Sequence, residues 1–193
     1  MIKRGRLFVV SAPSGTGKTT LCEQIVKCVP GVVQSVSVTT RKKRPGEKEG
    51  ENYFFVSISE FKKRLKNNEF IEHAKVFDNY YGTLRNFVES NLNKNKDVVL
   101  TIDVQGAMQI KRNFKKDGVF IFILPPSIKH LRRRLEKRKT DSNMQINQRL
   151  RVAKKELTFL KYYDYEVIND DIKTAFEQLK AIFIASRCKK DKK

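Results

Sequence analysis

Ser11-Ala-Pro-Ser-Gly-Thr-Gly-Lys-Thr19 is where residue types and spacing first imply chemistry. Gly15 and Gly17 permit backbone turns that aim successive N–H groups at one point, and Lys18 adds a cation long enough to reach the outer phosphates of a nucleotide. Thr19 offers a hydroxyl of the kind that binds magnesium beside such phosphates. The strict pattern has Gly where this chain has Ala12. A glycine turn without function is the competing reading, and context argues against it. An apolar run, Arg6 to Ala12, precedes the loop and a helical pattern from about Lys18 to Cys28 follows it, so the loop sits at a helix N-terminus where partial positive charge favours an anion. ATP is the ligand these donors suit.

A second group of residues carries a different chemistry. Ser37-Val-Thr-Thr-Arg41-Lys-Lys-Arg44-Pro-Gly-Glu47 is followed by Asn52-Tyr53, by Phe70-Ile-Glu72 and by Asn79-Tyr80-Tyr81-Gly82-Thr83. Arginines flanked by hydroxyl donors suit a phosphate monoester, because a guanidinium presents a planar fork of donors. Carboxylates are out of place in a phosphate site unless they accept from a base that displays donors, as guanine does through N1–H and N2–H. On composition alone, Arg41 to Arg44 reads first as a basic turn that solvates a loop.

These side chains need a scaffold. Arg6 to Ala12, Val98 to Ile102, Val119 to Leu124 and Tyr165 to Ile168 are short apolar runs without alternation, which predicts strands buried on both faces. Helical patterns follow them, over Gln105 to Lys116, Ser127 to Lys139 and about Asp171 to Arg187. Strands alternating with helices predict an α/β protein with a parallel sheet covered on both sides. Val33 to Thr40 breaks the rhythm with apolar and polar residues in alternation, Tyr53 to Val56 predicts another strand, and Ser57 and Glu60 form a capping box for a helix through Leu65. A second capping box, Ser142 with Gln145, predicts a helix to about Tyr162 that makes a hairpin across the polar hinge Lys139 to Asn143. The expected division is a core of residues 1–32, 88–133 and 164–193, a mixed α/β insert over 33–87 and a helical lid over 134–163.

The 193 residues fit one domain with an insert, and 41 Lys plus Arg against 21 Asp plus Glu leave a formal charge of +20, which attracts polyanions of any kind. The excess is spread along the chain and no nucleic-acid recognition signature accompanies it, so no specific nucleic acid is expected. No apolar run is long enough to span a bilayer, and Leu7 to Val10 is too short for a signal-peptide core, which places the protein in the cytoplasm and away from membranes. Cys22, Cys28 and Cys188 lack the spacing of a disulfide framework or a zinc site.

Taken together the motifs resemble those of the guanylate kinases, in the same order from Leu7 to about Asp171. The segments are Ser11 to Lys18, Ser37 to Glu47, Glu69 to Glu72, Tyr80 to Thr83, Ile102 to Ala107 and Tyr163 to Asp171. The resemblance implies a P-loop parallel sheet core flanked by helices, with an inserted GMP-binding subdomain and a lid. It implies ATP bound by Ser14, Gly15, Thr16, Gly17, Lys18, Thr19 and Thr20, with Asn169 near the adenine. Ser37, Arg41, Arg44, Tyr53 and Tyr81 would hold the GMP phosphate, supported by Glu47; Glu72 and Thr83, with Gly82 beside them, would read the base. Asp103 would hold a water on Mg²⁺ bound by Thr19, or orient GMP, with Gln105 in the same motif. Arg134, Arg138 and Arg149 would close over the phosphoryl group. Where the family has a further acidic residue that helps read guanine, this chain has Thr101, and where it often has Gly after the lid arginine, this chain has Lys139.

The implied reaction is transfer of the γ-phosphoryl group of ATP to GMP, and to dGMP, with Mg²⁺, by a monomer or homodimer. Three rival readings remain. A scaffold module that has lost catalysis would lack the phosphate loop or the acceptor residues, a basic nucleic-acid-binding protein would bind with steep salt dependence, and a kinase acting on AMP, UMP or CMP would share the loop. Adenine lacks the donors that Glu72 requires.

Overall fold

The computed structural model describes residues 4–76, 78–114, 118–137 and 142–189. Five parallel strands form the main sheet in the order β2-β7-β1-β8-β9: β2 is Val32–Gln34, β7 Asp97–Thr101, β1 Leu7–Ser11, β8 Gly118–Leu124 and β9 Tyr165–Ile168. The central strand β1 is buried throughout, and its side chains divide between two cores. Phe8 and Val10 face α1 (Lys18–Cys28) and α7 (Ile172–Cys188), where they join Leu21, Ile25, Leu179 and Phe183. Leu7 and Val9 face α3 (Arg85–Asn93) and α4 (Val104–Asn113), where they join Val88, Leu92, Ala107 and Ile110. That two-sided burial is why the strands read as apolar runs without alternation.

A second, four-stranded sheet has the order β4-β3-β6-β5, with β3 Ser37–Thr39, β4 Tyr53–Phe55, β5 Phe70–Val76 and β6 Asn79–Leu84. It is mixed: β3 runs parallel to β4 and antiparallel to β6, and β5 runs antiparallel to β6. Helix α2 (Ile58–Lys66) opens on half of the expected capping box: Ser57 Oγ accepts from the Glu60 N–H, while the Glu60 carboxylate accepts from Arg64 Nε at 3.0 Å, and the helix drops Phe61 onto the sheet. Phe61 stacks on Phe70 at 4.5 Å and on Tyr80 at 5.4 Å, giving this sheet a small aromatic core of its own.

The segment expected to act as a lid lies in a hairpin of α5 (Ile128–Lys137) and α6 (Asn143–Leu157), held by Leu131, Leu135, Ile146, Leu150 and Ala153. Both halves of the Ser142–Gln145 capping box are formed. The hinge residues Lys139 and Thr140 lie outside the described residues.

Two sequence expectations are corrected. The alternating run Val33 to Thr40 is two strands in different sheets: β2 pairs with β7 in the main sheet, and β3 pairs with β4 and β6 in the other. Alternation reports that one face of a strand is apolar, not which partner that face meets. The helix expected to reach Tyr162 ends at Leu157 and is followed by a 3-10 turn, Leu160–Tyr162, which delivers Tyr163 against the core at Phe120 and Phe122.

Candidate active site

The loop between β1 and α1 closes on itself before it meets anything else. The Thr16 N–H and hydroxyl both donate to the Pro13 carbonyl, at 3.2 and 2.7 Å. Gly15 and Gly17 have φ of 96° and 97°, the left-handed region that a side chain would strain, so these positions need glycine. Gly17 is constrained a second way, since a Cβ there would stand 2.5 Å from Asn169 Nδ2. That amide donates to the Thr16 carbonyl at 2.7 Å, and the guanidinium of Arg134 donates to the same carbonyl at 3.3 Å. Asn169 is thus a brace beneath the loop.

Lys18 leaves the first turn of α1 and donates to the Ile102 carbonyl at 3.0 Å, at the end of β7. Burial lowers its pKa from the ordinary lysine range, while the charges of Asp103, Glu156 and Glu72 among others work in the opposite sense. Asp103 caps α4, Oδ1 accepting from the Gly106 N–H at 3.0 Å and Oδ2 from Gln105 Nε2 at 3.1 Å. The cap fixes the carboxylate beside Lys18. Thr19 and Thr20 follow on α1 with exposed side chains.

Across the cleft, Arg41 is held from three sides. Glu47 Oε1 accepts from its Nη2 at 2.6 Å, and its guanidinium lies over the rings of Tyr53 and Phe55 at 5.2 and 5.7 Å. Glu47 also accepts from the Arg44 N–H at 2.8 Å, which curls the basic turn round a carboxylate. Burial opposes charge on Arg41 and Glu47, yet their mutual bond wins: the arginine pKa is raised and the carboxyl pKa is lowered. Tyr81 meets Tyr53 edge to face at 6.1 Å, and Ser37 begins β3 beside Tyr53. Gly82 is paired to Val38 and His73 in the ladder.

Glu72 is the buried carboxylate of this half, 3 % exposed. Oε1 accepts from the Thr83 hydroxyl at 2.6 Å. Burial pushes its pKa up to about 7, Asp103 adds to the rise, and the Thr83 hydrogen bonds and Lys18 oppose it. A carboxylate kept out of water at that cost is typical of a binding or reacting site.

The lid contributes to both sides. Arg134 also donates to the carbonyls of Asn169 and Asp170, and Arg149 donates to Ser14 Oγ at 2.8 Å. Arg138, expected with them, lies outside the described residues. Arg149 also lines an open cleft of about 360 Å³ with Gln145, Gln148 and Asp78, the last on the turn between β5 and β6. Lid and second sheet therefore face each other over the site. Glu156 was not anticipated. It stands two helical turns from Arg149 on the same face of α6, and burial raises its pKa to about 7, Lys18 opposing the rise and Asp103 adding to it. The i, i+7 spacing from Arg149 was the available signal.

The sequence matches the guanylate kinase family over residues 4–186. It is 48% identical over 190 residues to the guanylate kinase of Caldanaerobacter subterraneus subsp. tengcongensis, covering 98% of this chain and 92% of that one. To the guanylate kinase of Thermotoga maritima it is 46% identical over 186 residues, covering 96% and 89%. The crystal structure of guanylate kinase from Anaplasma phagocytophilum superposes with a TM-score of 0.83 at 38% identity, over 97% of this chain and 88% of the other. A match that runs through phosphate loop, second sheet and lid alike makes the chain a member of the guanylate kinase family.

Proposed function

We propose that this protein transfers the γ-phosphoryl group of ATP to GMP, giving ADP and GDP, and accepts dGMP as well. The observation that carries the reading is a phosphate loop whose lysine lies within electrostatic reach of the buried carboxylate of a second half-site, Glu72 hydrogen-bonded to Thr83. Both substrates are anions, so the protein must neutralise charge and align atoms. The loop amides, Lys18 and Thr20 take the ATP phosphates. Ser14 releases Arg149 to the transferring group as the lid closes, and Arg134 and Arg138 come from the same hairpin. Arg41 and Arg44, oriented by Glu47, take the GMP phosphate together with Ser37, Tyr53 and Tyr81. Glu72 accepts from guanine N1–H and N2–H while Thr83 holds it, and Gly82 beside them leaves its side-chain space to the Phe70 ring beneath the sheet. Asn169 reaches the adenine side only through the loop it braces.

Thr19 and Asp103 suit Mg²⁺, since one exposed hydroxyl and one fixed carboxylate are hard oxygen donors that leave most positions to phosphates and water. When bound, the ion would offset the charge developing on the phosphate oxygens. Asp103 and Gln105 also face the acceptor. The expected insert of 33–87 becomes the second sheet with α2, from Ser37 to Leu84, and the expected lid of 134–163 becomes the hairpin from Ile128 to Leu157. No described helix is long and apolar enough to cross a membrane. We place the enzyme in the cytoplasm with its nucleotides, as a monomer or homodimer.

A coupled assay of ADP release with ATP and Mg²⁺, offering GMP, dGMP, AMP, UMP and CMP in turn beside Lys18→Ala, tests the reading. Turnover confined to the guanine acceptors and absent in Lys18→Ala is expected. Equal turnover with AMP would overturn the assignment of Glu72.

A further inference from the structure

Strand β5, which carries Glu72, is an edge strand of the second sheet. Its pairing with β6 slips between Phe70 and Glu72, so the ladder alone does not hold Glu72 at a fixed depth. The outward edge of β5 is instead taken up by side chains of α4. Gln109 Oε1 accepts from the His73 N–H at 3.2 Å and Gln109 Nε2 donates to the His73 carbonyl at 2.5 Å, the reciprocal pair that a neighbouring strand would supply. Gln105, one helical turn earlier, donates to the Lys75 carbonyl at 3.3 Å. His73 and Lys75 are alternate residues whose backbone groups leave the same edge, and Gln105 and Gln109 lie i, i+4 on one helix face, so the two spacings match.

Between these glutamines lies Gly106. A Cβ at this position would overlap Glu72 Oε2 and stand 2.9 Å from Glu72 Cδ. The carboxylate is therefore set against bare backbone on one side and the Thr83 hydroxyl on the other. Its two oxygens have separate, fixed neighbours.

We propose that Gly106 and Gln109 are positioning residues for guanine selection: α4, a core helix, sets the depth and angle at which Glu72 meets the base. This rests on Glu72 being the guanine acceptor. A methyl group at position 106 pushes Oε2 aside, so that a base displaying two donors keeps one bond and loses the other. Loss of the Gln109 amide frees the His73 backbone and lets β5 shift along its slipped ladder. Neither change reaches the phosphate loop.

The test compares wild type, Gly106→Ala, Gln109→Ala, Glu72→Gln, Glu72→Asp and the double variant Gly106→Ala/Glu72→Asp, with GMP and with inosine monophosphate, which keeps N1–H and lacks the 2-amino group. Gly106→Ala is expected to raise KM for GMP at least tenfold, to leave KM for ATP within twofold, and to shrink the preference for GMP over inosine monophosphate. Gln109→Ala should do the same to a smaller extent. Aspartate, one methylene shorter, has room beside the added methyl, so the double variant should regain GMP affinity relative to Gly106→Ala, a non-additivity that general destabilisation does not produce. The proposal is overturned if KM for ATP rises as much as KM for GMP, if the base preference is unmoved in both single variants, or if the double variant is worse than either parent. If Glu72→Gln itself leaves the GMP dependence intact, the base assignment falls first; if it destroys the preference while Gly106→Ala does not, only the role of α4 falls.

Discussion

Replacing Glu72 by glutamine should make the free protein more stable and the enzyme worse, and the size of each effect follows from one buried carboxyl. Burial raises its pKa from the ordinary 4.5 to about 7. A carboxyl whose folded pKa lies above its unfolded value contributes stability that is fully present below the unfolded pKa and is lost as pH rises through the folded one. Above pH 7 the ionised group therefore costs the fold roughly 3 kcal/mol, at about 1.4 kcal/mol for each pH unit separating the two values. Glutamine keeps an oxygen for the Thr83 hydroxyl and sheds the charge. Allowing for the new amide's own desolvation, a gain of about 1–2 kcal/mol remains at pH 8, which for a chain of this size raises Tm by about 2–8 °C. At pH 5 the wild-type carboxyl is already neutral and the gain should vanish. Catalysis moves the other way, because the glutamine amide turns a donor toward the guanine donors. Losing charge-assisted hydrogen bonds of about 1.5–3 kcal/mol each raises KM for GMP by roughly 100-fold. Thermal melts of both proteins at pH 5 and pH 8, with steady-state kinetics at pH 8, measure all of this. A Tm difference independent of pH, or a KM for GMP changed less than threefold, would refute the reasoning.

Arg41→Ala removes the partner of Glu47 and the cation stacked on Tyr53, and at about 3 kcal/mol for a phosphate fork it should raise KM for GMP roughly 100-fold with KM for ATP nearly unchanged. Steady-state titration of each nucleotide separates the two. Asn169→Ala withdraws a buried donor from the Thr16 carbonyl and should weaken ATP binding about tenfold while sparing GMP, read by equilibrium binding of each nucleotide. Asp97→Ala removes the acceptor for the Arg6 N–H and Arg187 Nε, both at 2.8 Å, which ties α7 to the start of β7. A loss of about 2–3 kcal/mol in urea unfolding, with unchanged KM for both nucleotides, is expected.

Local chemistry was legible from the chain alone. Gly15, Gly17 and Lys18 between a buried apolar run and a helix can scarcely do anything but surround an anion, because glycine torsions, helix polarity and a terminal lysine are properties of neighbouring residues. The caps at Ser57 and Ser142 and the bounds of α1 are equally local, each decided within one turn of chain. The pairing of Arg41 with Glu47 also closes over a short loop.

What the chain order could not reveal are contacts between distant segments. Whether Val32–Gln34 joins β7 or continues toward β4 depends on which surface is free once the sheets form, and both choices satisfy the same alternation. Asn169 is expected near the adenine by resemblance alone, and its role as a brace becomes visible only when β9 brings it under a loop 153 positions away. Glu156 reads as one exposed-face carboxylate on a charged helix until α6 folds back over Lys18 and Asp103, where burial raises its pKa. Gly106 reads as a weak spot in a helix until Glu72 arrives from the other sheet and occupies the space of the missing Cβ. Residue type and short spacing determine which groups can do chemistry; tertiary packing decides which of them are desolvated together, and electrostatic strength depends on that desolvation.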